Sequence, residues 1–149
     1  MQIRNMRKGE ADALGRVMWD AIHRGAGTYT PAQRVAWCPA PPAGAAWAAR
    51  LMEQRVWVAD RGGPVGFVTL APGGYVDLAF VIAAVQGQGV FARLLDAVEA
   101  AADTPRLWTH ASLSARPAFA ARGFHVIRHE TVARGAEMLD RAEMEKMRT

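Results

Sequence analysis

The sequence predicts an α/β (α+β) domain in which a sheet is flanked by helices, and three features predict it. The first third carries helical periodicity, three short strand-like runs with turns between them follow, and the third run passes through two glycines into an amphipathic helix. At 149 residues the chain has the size of one domain, residues 1–149, with enough length to bury a single core.

Ile3-Arg4 reads as a short opening strand. Leu14, Val17, Met18, Ala21 and Ile22 then recur at helical spacing, so residues 10–24 are expected to form an amphipathic helix ended by Gly25 and Gly27. Thr30-Pro31 is a helix start: the hydroxyl accepts from a first-turn N–H, and proline there forfeits no hydrogen bond. A short helix to about residue 37 is expected, after which Pro39, Pro41, Pro42 and Gly44 break the chain, and residues 45–52 resume a helical pattern with Trp47 and Leu51. Residues 56–59 and 65–70, joined by the turn Arg61-Gly62-Gly63-Pro64, are expected to pair as a hairpin. Pro72-Gly73-Gly74 turns the chain into the third strand of a meander, 75–82. The helix at 89–102 rests on Val90, Leu94, Leu95, Val98 and Ala102. Residues 106–111 read as a strand, Ser112 or Ser114 as the cap of a helix that stops at Gly123, and 124–133 as a further strand.

Composition narrows the function. Hydrophobic residues make up 51% and charged residues 21%, ordinary for a soluble globular protein. No apolar stretch is long enough to cross a membrane, and Met1-Gln2-Ile3-Arg4-Asn5 lacks the apolar core of a signal peptide, so a cytoplasmic protein without a membrane partner is expected. A single cysteine, Cys38, excludes an internal disulfide, and no Cys/His spacing suits a metal. Cys38 reads as a packing residue, because no motif places a base beside it. The net charge of +4 is spread along the chain without a basic run or an aromatic-interleaved patch, so no nucleic-acid partner is expected.

The segment 77–95 is the most informative. Gly87 and Gly89 lie between a strand and a helix, where residues without a Cβ let successive N–H groups turn toward an anion at the positive end of the helix dipole. A pyrophosphate fits such a place, although the same glycines also read as a plain turn. A second segment, 111–124, is a helix ending in Gly123-Phe124. Together with the opening strand and the run Gly9-Glu10-Ala11-Asp12, these two ordered motifs resemble the GNAT superfamily of acetyl-CoA-dependent N-acetyltransferases. That family's cofactor loop reads Gln/Arg-x-x-Gly-x-Gly/Ala, and here the loop is Gln86-Gly87-Gln88-Gly89-Val90-Phe91. The resemblance spans nearly the whole chain. It is nearest to small bacterial members with a Tyr-x-Pro-x-Gln-x-x-x-Trp-like segment, here Tyr29, Pro31, Gln33 and Trp37.

The resemblance implies a mixed, mostly antiparallel twisted sheet of about six to seven strands. For residues 136–147 it implies a final edge strand, although the Ala, Glu, Met and Leu content favours a helix; we read a strand, because pairing overrides propensity of this size. It also implies acetyl-CoA as co-substrate, with its pantetheine arm between two splayed strands that end near Ile82 and Ala111. The main chain of Phe80, Val81 and Ile82 is then expected to bind that arm, and Gln86, Gly87, Gln88, Gly89, Val90, Phe91 and Ala92 to hold the pyrophosphate; on the residues alone Phe80 and Val81 are plain strand core. Coenzyme A is polyanionic, so a moderately basic cleft suits it.

Asp77, an acid in an otherwise apolar strand where the resemblance implies a carboxylate facing the acceptor, is expected to act as general base, directly or through a water, with an outward-facing strand residue as the equal alternative. Partial desolvation would raise its pKa toward the working range. Where relatives frequently carry a tyrosine proton donor this chain has Phe119, expected to pack against the cofactor, which leaves Ser114, a water or the acceptor's ammonium proton as donor. Ser112 stands where many relatives have asparagine and reads equally as a pantetheine contact or a helix cap. Phe91 takes the loop's Gly/Ala position and Ala83 replaces a frequent proline. Tyr29, Trp37 and His23 are expected to line the acceptor pocket, while Trp37 and Trp47 read at least as well as core, and His110 reads as a surface strand residue rather than a base. The expected activity is transfer of acetyl to a primary amine of a small molecule or peptide, by direct attack in a ternary complex. The rival is a catalytically silent acyl-CoA-binding or sensing domain of the same fold. The resemblance implies that exposed sheet edges can pair two copies into a homodimer.

Overall fold

In a computed structural model, which describes residues 1–148, β1 (Gln2–Asn5) is followed by α1 (Ala11–Arg24), α2 (Pro31–Trp37) and α3 (Gly44–Met52). The meander is β2 (Arg55–Asp60), β3 (Pro64–Ala71) and β4 (Tyr75–Val81), and then come α4 (Val90–Ala101), β5 (Arg106–Ser112), α5 (Arg116–Ala121), β6 (His125–Arg134) and β7 (Glu137–Met147). These strands form one seven-stranded sheet in the order β1-β2-β3-β4-β5-β7-β6. Every neighbouring pair is antiparallel except β4 and β5.

The apolar patterns find their partners on the two faces of the sheet. Leu14, Val17, Met18 and Ile22 of α1, with Trp47 and Leu51 of α3, pack against Val58, Phe67 and Leu78 on one face. Leu94, Leu95 and Val98 of α4, with Phe119 and Phe124, pack against Val68, Val76, Leu107 and Met144 on the other. Six consecutive residues of β3, 65–70, are buried because helices cover the sheet on both sides there. Each fully buried Leu or Phe in these layers contributes about 1.5–3 kcal/mol by removal from water.

Local chemistry sets the helix ends. Thr30 Oγ1 accepts from Gln33 N–H at 3.1 Å while Gln33 Oε1 accepts from Thr30 N–H at 2.8 Å, a reciprocal capping box that starts α2. Ser112 Oγ accepts from Ala115 N–H at 3.1 Å and so caps the turn before α5; Ser114 makes no such bond. The chain between β4 and the glycine loop folds into one 3-10 turn, Ala83–Val85, which the apolar pattern does not reveal.

Residues 137–147 are a strand rather than a helix, but not the edge strand expected. β7 lies between β5 and β6, pairing with both, and β6 is the edge. Pairing on both sides satisfies its backbone groups, which outweighs helix propensity. β4 and β5 pair only at Tyr75↔Trp108 and Val76↔Thr109. β5 stays paired with β7 as far as Ser112↔Arg141, whereas β4 follows β3, so the two strands separate and leave an opening at the centre of the sheet.

Candidate active site

The opening between β4 and β5 is flanked by two cavities. One, of about 400 Å³, lies against Gly87, Gly89, Val90, Phe91 and Ala92 at the start of α4. The other, of about 350 Å³, is lined by Arg50, Tyr75, Asp77, His110, Arg134 and Arg141. Tyr29, Trp37, Ala79, Phe80, Ser112 and Ala115 line both, so the cavities meet where the strands part.

The first cavity has the chemistry of an anion cradle. Gly87 and Gly89 hold φ of 78° and 81°, values that favour glycine, and Gly89 leads directly into α4. A Cβ at either position would meet nothing within 4 Å, so these glycines leave open space beside the loop. The first main-chain bond of α4 runs from Arg93 N–H to Gly89 carbonyl at 3.1 Å, and among the described residues no main-chain acceptor meets the N–H groups of residues 87–92. Free N–H groups at the positive end of a helix suit a phosphate group, and in this respect the residues present fit the pyrophosphate of coenzyme A.

Not every residue of the motif faces that space. The side chain of Gln86 is a brace, with Nε2 donating to Val81 carbonyl at 3.0 Å and Oε1 accepting from Ala26 N–H at 3.2 Å, which ties the loop to β4 and to the end of α1. Gln88 lines neither cavity and accepts from Arg61 Nη1 at 2.9 Å. The Phe91 ring packs edge to face on Phe119 at 5.1 Å, and the cavity that Phe91 helps to line stays open at about 400 Å³. Phe119 is buried against Phe124 and forms part of the floor of the second cavity.

The expectation for 80–82 needs correction. Ile82 N–H donates to Val65 carbonyl at 2.9 Å, and an antiparallel strand alternates its bonding side, so the main chain of Phe80 and Ile82 is directed at β3. The groups on the open edge of β4 belong to Ala79 and Val81, and the Val81 carbonyl already accepts from Gln86. Ala79 was missed because apolar alternation identifies side-chain faces but not bonding sides. Ile82 lines neither cavity, while the Phe80 ring lines both, 6.0 Å from Trp37.

In the second cavity the Asp77 carboxylate receives Arg50 at 3.0 and 3.2 Å and Gln54 Nε2 at 2.8 Å. Arg50 and Gln54, four residues apart at the end of α3, reach the same acid from one side. Tyr75 Oη lies 2.8 Å from His110 Nδ1. Burial pushes the Tyr75 hydroxyl pKa up and the His110 pKa down, so both groups are held neutral. His110 is therefore a cavity residue, correcting the surface reading; the 35-residue separation from Tyr75 hides the pair from any local pattern.

Tyr29 is buried between the cavities, where Oη accepts from Leu113 N–H at 3.1 Å and donates to the Asp140 carbonyl. Its ring meets Trp37 edge to face at 5.6 Å. His23 does not reach either cavity: Nε2 bonds the Cys38 carbonyl at 2.7 Å and the ring stacks on Trp19 at 4.5 Å. That stacking was foreshadowed by the four-residue spacing of Trp19 and His23 on one helix. Ser114 lines the first cavity and Ser112 both. Arg34, absent from the expected set, donates to the carbonyls of Ile22, Gly25, Gly27 and Tyr29, fastening the α1–α2 loop that walls the first cavity.

Comparison with known proteins agrees with this geometry. The acetyltransferase (GNAT) domain family matches residues 26–146. A GCN5-related N-acetyltransferase from Rhodopseudomonas palustris is 30% identical, with 98% of this chain and 94% of that one covered and a TM-score of 0.90. YncA, a putative acetyltransferase from Salmonella typhimurium solved with its cofactor acetyl-CoA, is 18% identical with coverage of 99% and 93% and a TM-score of 0.69. A ribosomal-protein-alanine N-acetyltransferase from Brucella melitensis is 17% identical with 99% of each chain covered and a TM-score of 0.65. No curated protein matches the sequence. By the family match over most of its length and the relative at 30% identity, the chain belongs to the GNAT acetyltransferase family.

Proposed function

We propose that the protein transfers an acetyl group from acetyl-CoA to a primary amine of a small molecule or peptide, by direct attack of the amine in a ternary complex. The observation that carries this reading is the meeting of two cavities at the open edge of β4, one against an anion cradle and the other against titratable side chains. When bound, acetyl-CoA supplies an activated acetyl thioester. The chain's part is to place an unprotonated amine against it, which converts a bimolecular encounter into an oriented one.

The N–H groups of residues 87–92 hold the phosphates, and the main-chain groups of Ala79 with the N–H of Val81 align the arm along β4, the Val81 carbonyl being taken by Gln86. Ser112 and Ser114 place hydroxyls on the cofactor side, where either can donate a proton to the departing thiolate. In the second cavity Asp77 attracts the acceptor's ammonium while Arg50 and Gln54 fix the carboxylate's direction. Because Arg50 and Gln54 already donate to both of its oxygens, we assign Asp77 to orienting the amine rather than to taking its proton.

Calorimetric titration with acetyl-CoA and with coenzyme A, followed by thiol release in the presence of an amine panel, tests this reading. Saturable binding with amine-dependent release supports it. Binding with no release from any amine makes the protein an acyl-CoA-binding domain instead.

A further inference from the structure

His110 is the first residue of β5 beyond its pairing with β4, so it has β7 opposite it on one side and no β4 partner on the other, and its ring lines the acceptor cavity. Resting on the transferase reading above, we propose that a Tyr75–His110 relay removes the acceptor's proton, with Tyr75 touching the ammonium and His110 Nδ1 as the final proton site.

The two rings are held in place. Tyr75, Trp108 and His110 contact one another, with centroids 4.4 Å apart for Tyr75–Trp108 and 5.6 Å for each of the other pairs. The far side of the imidazole chooses its tautomer. Nε2 lies 3.7 Å from Glu130 Oε1 and 3.7 Å from Glu143 Oε1, so the ring proton belongs on Nε2, facing two carboxylates. That leaves Nδ1 as an acceptor, and the 2.8 Å bond then runs from Tyr75 O–H to His110 Nδ1.

Burial favours the neutral ring, and the two carboxylates beside it are held by other partners. Glu130 is satisfied by Arg141 at 2.6 Å, and Glu143 by Arg128 at 2.7 Å and Arg106 at 3.8 Å, so neither glutamate depends on an imidazolium. From β4, Asp77 is bound to Arg50 of α3. Burial first, and then Arg141, lower the His110 pKa below 6.5, against the opposing pull of Glu130 and Glu143, with Arg128 adding to the lowering.

The step balances. The ammonium N–H bond breaks and its proton joins Tyr75 Oη as the phenolic O–H proton passes to Nδ1. The nitrogen keeps its electron pair for attack, Tyr75 ends neutral, and the positive charge moves from the ammonium to the imidazolium, whose Nε2–H faces Glu130 and Glu143. Water takes the proton after the product leaves.

Two measurements decide it. The sequence has four histidines, so imidazole nitrogen–proton correlation spectra are resolvable, with His110→Asn giving the assignment. A neutral His110 at pH 7 protonated on Nε2, whose Nδ1 signal shifts in Tyr75→Phe, is expected; a ring protonated on Nδ1 or doubly protonated at pH 7 overturns the relay. Acetyl transfer to a panel of the L-amino acids, putrescine and tyramine gives the second readout. Tyr75→Phe and His110→Asn are expected to lose about 10²-fold in kcat/KM for the amine at pH 7, with acetyl-CoA affinity unchanged. That deficit shrinks as pH rises toward the amine's own pKa, where free amine needs no base. A deficit that is the same at every pH, or full activity in both variants, overturns the relay alone. A wild-type protein that binds acetyl-CoA and acetylates none of the panel overturns the transferase reading, and the relay falls with it.

Discussion

Gly89→Ala separates the two jobs of the glycine loop, backbone geometry and anion binding. Gly89 sits at φ 81°, ψ 5°, and an added Cβ meets nothing within 4 Å, so the cost to folding is that of a left-handed L-residue, about 1–2 kcal/mol. At this chain length each kcal/mol lowers Tm by roughly 2–4 °C. Gly62, in the β2–β3 turn, is a matched control at φ 71° with equally open space, so Gly62→Ala is expected to carry a similar thermal penalty. The variants then diverge in acetyl-CoA binding. The Cβ at position 89 intrudes on N–H groups that would bond a phosphate, and losing one charge-assisted hydrogen bond of about 1.5–3 kcal/mol weakens Kd by roughly 10- to 100-fold. Thermal melts and calorimetric titration of both variants give the comparison. Wild-type affinity in Gly89→Ala would refute the cradle, as would an equal loss of affinity in Gly62→Ala.

Asp77→Asn is expected to raise the KM of the acceptor amine several-fold with little change in kcat, because it weakens orientation; steady-state kinetics showing a large fall in kcat with the low-pH limb abolished would make Asp77 the base. Tyr29→Phe leaves Leu113 N–H and the Asp140 carbonyl without their partner, which is expected to cost about 1–3 kcal/mol in denaturant unfolding. Acid unfolding should depend on Arg4, which bonds Glu10 at 2.6 Å and Asp60 at 2.9 Å and holds the Glu10 carboxyl below its ordinary 4.5. A depressed carboxylate contributes stability above the unfolded pKa and loses it as pH falls through the folded one. The unfolding midpoint should therefore drop below about pH 4.5, with a flatter profile in Arg4→Met; identical profiles would exclude the triad as its source.

The helices and the meander were legible because their information is local. Leu14, Val17, Met18 and Ile22 declare α1 by spacing alone, and Thr30-Pro31 with Gln33 declares the start of α2. The glycine loop was legible for the same reason, since positive φ at Gly87 and Gly89 is a property of single residues. What failed to show depends on long-range register. Nothing in residues 124–147 says that the last strand inserts between β5 and β6, because the alternation is the same for an edge or an interior position. The Tyr75–His110 contact follows from the parallel pairing Tyr75↔Trp108 across α4, and no spacing rule reports it. Side-chain directions within motifs were also hidden: Gln86 and Gln88 stand two apart in one loop, yet one braces β4 and the other meets Arg61.

Thiol release from acetyl-CoA with wild-type protein and the amine panel, with the acetylated product identified by mass, decides whether the two cavities bring an acetyl donor and an amine together at the open edge of β4. The expected release requires both protein and amine, saturates in each substrate and matches product formation one for one. Saturable acetyl-CoA binding with no amine-dependent release would contradict it.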